Sequence, residues 1–214
     1  MLRAVIFDMD GVIVDSERYQ FEAFRQLFLP YGIRLTKDSF DWVGKTSQEN
    51  IEAVLDRYAL NKDPVKLVAL RRKTYTQLIK DHIRPMAGVL PLITKLRKNG
   101  YRLALASSSI RAHINMILER LNVLEDFEVI VSGDMIIHGK PNPEIFLRTI
   151  KELKLLPTEC VVIEDSQRGV EAAYHAGIKC IVVPNEYTLH QDFSKATKII
   201  VSLRELALES LTQW

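Results

Sequence analysis

Long apolar runs are missing from this chain. None of its 214 residues falls in a stretch near the ~18 apolar positions a membrane-spanning helix needs, and no basic segment precedes an apolar one at the N-terminus. The expectation is a protein without a span or secretory signal, in the cytoplasm. Cysteine is scarce as well. Cys160 and Cys180 each open a short apolar run with no ligand spacing around them, which points to buried reduced thiols rather than a disulfide or a zinc site. Charge of one sign is also lacking: 29 Lys and Arg against 27 Asp and Glu leave a formal +2, and the basic residues are dispersed. That gives no electrostatic footprint for nucleic acid or a membrane surface, and it favours a small molecule as partner. No internal repeat or low-complexity tract is present. Loops are short and no apolar stripe stands out, so a monomer is expected.

What is present suits a globular enzyme-sized core, with 47% hydrophobic and 26% charged residues. Five apolar runs have strand character, at 3–8, 102–107, 127–132, 160–165 and 179–183. Helical patterns lie between them. Ile114, Ile117, Leu118 and Leu121 recur at helical spacing over 110–121, as do Phe146, Ile150 and Leu153 over 143–153, with Asn142 as expected N-cap and Pro143 at the first turn. Gly100 and Gly177 stand where helices 89–98 and 167–176 should stop. This alternation predicts an α/β fold with a doubly wound parallel sheet.

One segment does not alternate. From Ser16 to His82 there are only helical periodicities, such as Phe21, Phe24, Phe28 and Ile51, Val54, Leu55, Tyr58. A helical insert is too long for a simple crossover and reads as a cap domain over 16–82, with the catalytic core formed by 1–15 and 83–214.

In an open parallel sheet, ligands sit beyond the carboxyl ends of the strands, and here those ends are polar. Asp8 and Asp10 follow the first strand, Ser107, Ser108 and Ser109 the second, and Glu164 and Asp165 the fourth, while Lys140 lies in the loop after the third. Each alone has a plain reading as a turn or helix cap. Together they place four carboxylates at one sheet edge, where they repel unless a lysine and a metal ion compensate. Oxygen ligands without nearby His or Cys select magnesium over zinc.

The stretches "DMDGV" (8–12), "ASSS" (106–109), "GKPNPEIF" (139–146) and "IEDSQRGVEAA" (163–173) resemble the four motifs of the haloacid dehalogenase-like hydrolases. The chain is most similar to the phosphoglucomutase-like branch, whose Rossmann-like core carries a helical cap after the first strand. The segment "PNEYTLHQDFSKA" (184–196) resembles a tail of phosphatase members.

The resemblance implies that Asp8 is the nucleophile forming an aspartyl phosphate and Asp10 the general acid and base. It implies a Mg2+ cofactor held by the Asp8 carboxylate, the Asp10 carbonyl and the Asp165 carboxylate, with Glu164 close by through water. Ser107 and Lys140 would clamp the phosphoryl group with Ser108 beside them, and Gly11 would turn the chain tightly towards the cap. Gly44, Lys45 and Thr46 in "WVGKTSQEN" match the cap's specificity loop, and Lys45 is placed to reach the polar part of a substrate. Of Arg71, Arg72 and Lys73, at most one is expected to face the site.

An acid at position 10 argues for phosphoryl transfer over dehalogenation. Sugar phosphate mutases of this branch resemble "YH" at 19–20 and carry a cap arginine near 47–48, where this chain has Gln20, Ser47 and Gln48. The expected function is therefore hydrolysis of a small phosphorylated metabolite, a sugar or polyol phosphate. A β-phosphoglucomutase-like mutase is the alternative, and a non-catalytic phosphometabolite-binding protein is a third reading.

Overall fold

The structure is a computed structural model that describes residues 1–37, 43, 45–208 and 211. The chain runs β1 (Ala4–Phe7), α1 (Glu17–Phe28), α2 (Ser47–Arg57), α3 (Pro64–Lys80), α4 (Val89–Lys98), β2 (Arg102–Ser107), α5 (Arg111–Arg120), β3 (Val129–Ser132), α6 (Glu144–Leu153), β4 (Cys160–Glu164), α7 (Gln167–His175), β5 (Lys179–Val182) and β6 (Lys198–Ile199). The six strands form one sheet in the order β3-β2-β1-β4-β5-β6, with every pairing parallel.

Alternation along the central strands builds the core on both faces. Val5 and Phe7, Leu103 and Leu105, and Val161 and Ile163 join one apolar cluster with Leu92, Ile93 and Leu96 of α4 and Ile114, Ile117 and Leu118 of α5. Ala4 and Ile6, Ala104 and Ala106, and Cys160 and Val162 join the other, beneath Ile145, Phe146 and Leu153 of α6 and Ala172 and Ala173 of α7. Small side chains on the second face let those helices approach closely. Both cysteines are free and buried, as their apolar surroundings require.

Strand order reverses at β1, which β2 flanks on one side and β4 on the other, so a crevice opens beyond their carboxyl ends. Asp8 and Glu164 lie at those two ends.

Between β1 and α4, helices α1 to α3 enclose an apolar cluster of their own, built on Phe24, Leu27, Phe28, Ile51, Val54, Leu55 and Leu67. Their starts are locally encoded. Thr46 caps α2 in a reciprocal box, accepting from Glu49 N–H at 3.2 Å while the Glu49 carboxylate accepts from Thr46 N–H at 2.6 Å. Asp63 caps α3, which opens on Pro64. The chain leaves and re-enters side by side, with Asp15 N–H donating to the Arg84 carbonyl at 3.0 Å and Met86 N–H to that of Ile13 at 2.9 Å.

Two local expectations shift. Helix α6 starts at Glu144 with Pro143 as its N-cap, one residue later than expected, although Asn142 Oδ1 still accepts from Glu144 N–H at 3.0 Å. Strand β6 is not among the five expected strands: only Lys198 and Ile199 form it, both exposed, and the apolar stretch 199–201 is shorter than the other strand runs.

Candidate active site

Asp8, the first residue past β1, is 6% exposed, and Lys140 is 3% exposed although its loop lies far away in sequence. The Lys140 ammonium donates to Asp8 Oδ1 at 2.6 Å, Glu164 Oε1 at 2.5 Å and the Ala106 carbonyl at 3.2 Å, which uses all three of its N–H bonds. Burial alone disfavours the ammonium, but the charges of Asp8 and Glu164 outweigh it and hold Lys140 protonated, its pKa raised.

Glu164 turns its other oxygen to the following turn. Its Oε2 accepts from Asp165 N–H at 3.0 Å, and from the Ser166 N–H and hydroxyl at 3.1 Å each. Ser166 is also the N-cap of α7, accepting from Gly169 N–H, so the plain capping reading holds for that residue. Asp165 is 3% exposed and its Oδ2 accepts from Asn185 Nδ2 at 2.6 Å.

Carboxylate oxygens of Asp8, Glu164 and Asp165 lie within 4.8 Å of one another, all buried. One ammonium cannot neutralise three carboxylates. Burial, with Lys140 opposing and Glu164 and Asp10 adding repulsion, pushes the Asp8 carboxyl up to about 7. Burial and then the Glu164 charge raise Asp165 well above its ordinary value. An all-oxygen cluster with surplus negative charge fits a hard divalent cation. Both oxygens of Glu164 are already engaged by protein donors, so Asp8 and Asp165 are the better placed to ligate.

Gly11 explains the tight path beside this cluster. Its φ of +77° is left-handed, and a Cβ there would sit 2.1 Å from Asp165 Oδ2.

Asp10 is positioned differently. Its Oδ1 accepts from the Ser16 hydroxyl at 2.5 Å and Gln20 Nε2 at 3.2 Å, and its Oδ2 accepts from the Ser109 hydroxyl at 2.8 Å. A hydroxyl can accept as well as donate, so Ser16 and Ser109 can serve either protonation state of Asp10. Ser107 Oγ accepts from Ser109 N–H at 3.1 Å, which keeps its own proton available to a ligand.

A cleft of about 130 Å³ opens between the sheet edge and the helical insert. That is smaller than the ~300 Å³ usual for drug-sized ligands, so the cleft suits a small one. Asp8, Asp10, Ser107, Ser108, Lys140 and Asp165 line its core side, and Lys45 and Thr46 line the insert side. Gly44 lies outside the described residues. Arg71 and Arg72 both border the cleft, one more than expected; Arg71 is buried, whereas Arg72 is exposed at the rim.

The insert contributes Arg71, one of the three cations the sequence offered, and Glu17, which the sequence does not single out. The Arg71 guanidinium packs 4.0 Å over the Phe24 ring and donates to Ser47 Oγ at 2.9 Å, to the Gln20 carbonyl at 3.3 Å and to Gln20 Oε1. Burial lowers its pKa to about 10, so it stays charged at neutral pH. Glu17 reads from sequence only as an acidic first-turn residue, yet it is 7% exposed and borders the cleft. Asn185 sits in the tail segment already noted, but nothing in its spacing points to Asp165.

The family model for haloacid dehalogenase-like hydrolases matches residues 5–183. The phosphorylated carbohydrates phosphatase of Thermotoga maritima is 35% identical, over 84% of this chain and 84% of that protein. The β-phosphoglucomutase of Bacillus subtilis (strain 168) is 31% identical, over 85% and 83%. The crystal structure of CbbY from Rhodobacter sphaeroides in complex with phosphate superposes with a TM-score of 0.87 at 27% identity, covering 97% of each chain.

Proposed function

Since the chain belongs to the haloacid dehalogenase-like hydrolases, we propose that it is a Mg2+-dependent phosphomonoesterase acting on a small sugar or polyol phosphate. The observation that carries this reading is the division of labour between the two aspartates of one cleft. Asp8 is buried against an ammonium, whereas Asp10 is held by neutral hydroxyl and amide donors at the cleft wall.

Asp8 would attack phosphorus, its carboxylate held in line by Lys140 through Oδ1. The P–O bond to the alcohol breaks as Asp10 passes its proton to the leaving oxygen, leaving an aspartyl phosphate. Asp10 then takes a proton from water as that water attacks the phosphoryl group, releasing inorganic phosphate and restoring Asp8. General acid and base action of this kind supplies roughly 10²–10⁴ in rate. Ser107 would donate to a phosphoryl oxygen, while the Lys140 ammonium, its three N–H bonds already held by Asp8, Glu164 and Ala106, would offset the phosphate charge from behind Asp8. Asp8 and Asp165, with the Asp10 carbonyl, would hold Mg2+, which when bound screens the phosphate charge and orients the group. The insert would act as a cap, with Lys45 and Thr46 facing the organic part of the substrate.

The test is a screen of purified protein against many phosphate monoesters, with and without magnesium. Magnesium-dependent phosphate release from sugar or polyol phosphates supports the reading; no release from any ester refutes it.

Arg71 and Arg72 favour a second reading. They give the insert cations beyond Lys45, and a mutase needs a cationic grip on a second phosphate. The discriminating assay follows β-glucose 1-phosphate with a trace of bisphosphate primer. Efficient glucose 6-phosphate formation with little phosphate release would promote the mutase.

A further inference from the structure

One short turn of the core touches both the acidic cluster and the insert. After β5 the chain folds at Asn185, whose carboxamide is committed at both ends. Its Oδ1 accepts from the Tyr187 N–H at 2.9 Å, an Asx turn, so Nδ2 is the end that meets Asp165, donating to Oδ2 at 2.6 Å. The main chain is held as fully: Asn185 N–H donates to Thr188 Oγ at 3.0 Å, and its carbonyl accepts from the Thr188 and Leu189 N–H groups at 3.0 Å each. Thr188 is fully buried, which anchors the turn to the core. Asp165 Oδ2 thus lies between this amide and the bare Cα of Gly11.

The next two residues reach the insert. Glu186 Oε2 accepts from the Lys37 ammonium at 2.8 Å, and that ammonium lies 4.4 Å from the centre of the Tyr187 ring. Tyr187 also packs against the insert's own apolar cluster. It therefore has two attachments, its N–H to the Asn185 carboxamide and its ring to the insert. A shift of the insert that drags Tyr187 must disturb the bond that orients Asn185, and with it the donor on Asp165.

A carboxylate fixed in one rotation before a cation arrives loses less freedom on binding it, and partners placed behind a ligand in this way are typically worth ~10–100-fold in metal affinity. Resting on the reading of Asp8 and Asp165 as magnesium ligands, we infer that the turn 185–187 is a strut between the cation site and the insert. Asn185 is a positioning residue for Asp165, and a seated insert holds Asn185 in place. The dependence is reciprocal: magnesium favours the seated insert by the same factor by which the seated insert favours magnesium.

The experiment measures the magnesium dissociation constant by titration calorimetry at pH 8, without substrate, in the wild type and in Asn185→Ala, Lys37→Met and Asp192→Ala. Asn185→Ala should weaken magnesium binding by ~10–100-fold. Lys37→Met should weaken it by ~2–5-fold, the reach of one exposed ion pair. The sign discriminates, because removing a cation would by charge alone strengthen magnesium binding or leave it unchanged. Asp192 accepts from the Ser194 N–H and hydroxyl further along the same tail, so Asp192→Ala loosens the tail beyond the strut and should bind magnesium as the wild type does. A merely structural role for the tail would weaken all three variants together. Lys37 is exposed, so its variant keeps the inference falsifiable even if Asn185→Ala does not fold. Wild-type affinity in either Asn185→Ala or Lys37→Met overturns the inference, as does an equal loss in Asp192→Ala. Magnesium binding indifferent to these variants would leave the phosphatase reading standing. No magnesium binding by the wild type would overturn both.

Discussion

Magnesium should stabilise this protein strongly at pH 8 and hardly at pH 5. The reason lies in the surplus of buried carboxylates. An Asp in the unfolded chain titrates near 3.8, whereas burial pushes Asp8 up to about 7 in the metal-free fold. Between those values the folded state holds a proton that the unfolded state has lost. Stability therefore falls as pH rises through this window, by about 2 kcal/mol between pH 5 and pH 7 from Asp8 alone, the slope of 1.36 kcal/mol per unit tapering as Asp8 titrates. Asp165, raised by burial and by Glu164, acts in the same direction. His113 acts the other way: burial lowers its pKa, so it must be deprotonated to be accommodated, and stability is lost as pH falls below its unfolded value. The magnesium increment separates the two, because only the carboxylates exchange a proton for the cation.

At a magnesium concentration ~100 times its dissociation constant at pH 8, linkage gives about 2.7 kcal/mol. At pH 5 the cation must first displace the Asp8 proton, which weakens it by ~100-fold over two pH units and leaves about 0.4 kcal/mol. For a chain of this length those figures correspond to ~5–10 °C and ~1 °C in Tm. Thermal unfolding in chelator and in magnesium, at half-unit pH steps, measures both. Asp165→Asn, which can keep a bond to Asn185, should raise the metal-free Tm at pH 8 and erase the increment. Equal increments at pH 5 and pH 8 would refute the account of the cluster.

Asp8→Asn removes the attacking charge while keeping the shape, so turnover should drop by several orders of magnitude with the fold intact by circular dichroism; substantial residual turnover would rule out Asp8 as nucleophile. Gly169→Ala places a Cβ 1.9 Å from the Glu164 carboxyl, which is fully buried against Lys140, so denaturant unfolding should report a loss of about 1–3 kcal/mol and assays a loss of activity. Lys45→Ala should raise the KM for the best sugar phosphate more than that for acetyl phosphate, since the smaller ester does not reach the insert; parallel changes in both would count against a specificity role.

Much of the core was readable because each strand carries its own signal. "AVIF", "LALA" and "VVIE" are buried on both faces, and the residues that follow them are polar because the strand ends open onto a crevice rather than onto a helix. The joint position of Asp8, Lys140, Glu164 and Asp165 follows from strand order, and periodicity with short loops constrains that order. The insert was less readable. Glu17 looks like an ordinary first-turn acid, and Arg71 like one member of a charged helix face, because nothing local says that α1 and α3 pack over a neighbouring cleft. Asn185 fails for the same reason: its bond to Asp165 depends on the turn after β5, which no pattern of period 2 or 3.6 encodes. Strand β6 is two exposed residues with no periodicity to detect.

The two aspartates also differ in what holds them. Asp8 depends only on the core, through Lys140, Glu164 and the sheet edge. Asp10 shares its bonds between the core and the start of the insert: Ser109 is on the β2 side, whereas Gln20 is on α1 and is itself gripped by Arg71 of α3. The insert is in turn tied to the core by Arg168 with Glu49 at 2.8 Å, Lys37 with Glu186 at 2.8 Å and Thr76 with His113 at 2.8 Å. The first two are surface pairs worth at most ~1 kcal/mol each, so they would resist a displacement of the insert only weakly. Displacing it would strip Gln20 from Asp10 while leaving the Asp8–Lys140 pair untouched. On the proposed mechanism, phosphoryl binding would then need only the core, whereas the carboxylate that Asp10 becomes after giving up its proton would gain the Gln20 donor only with the insert in place.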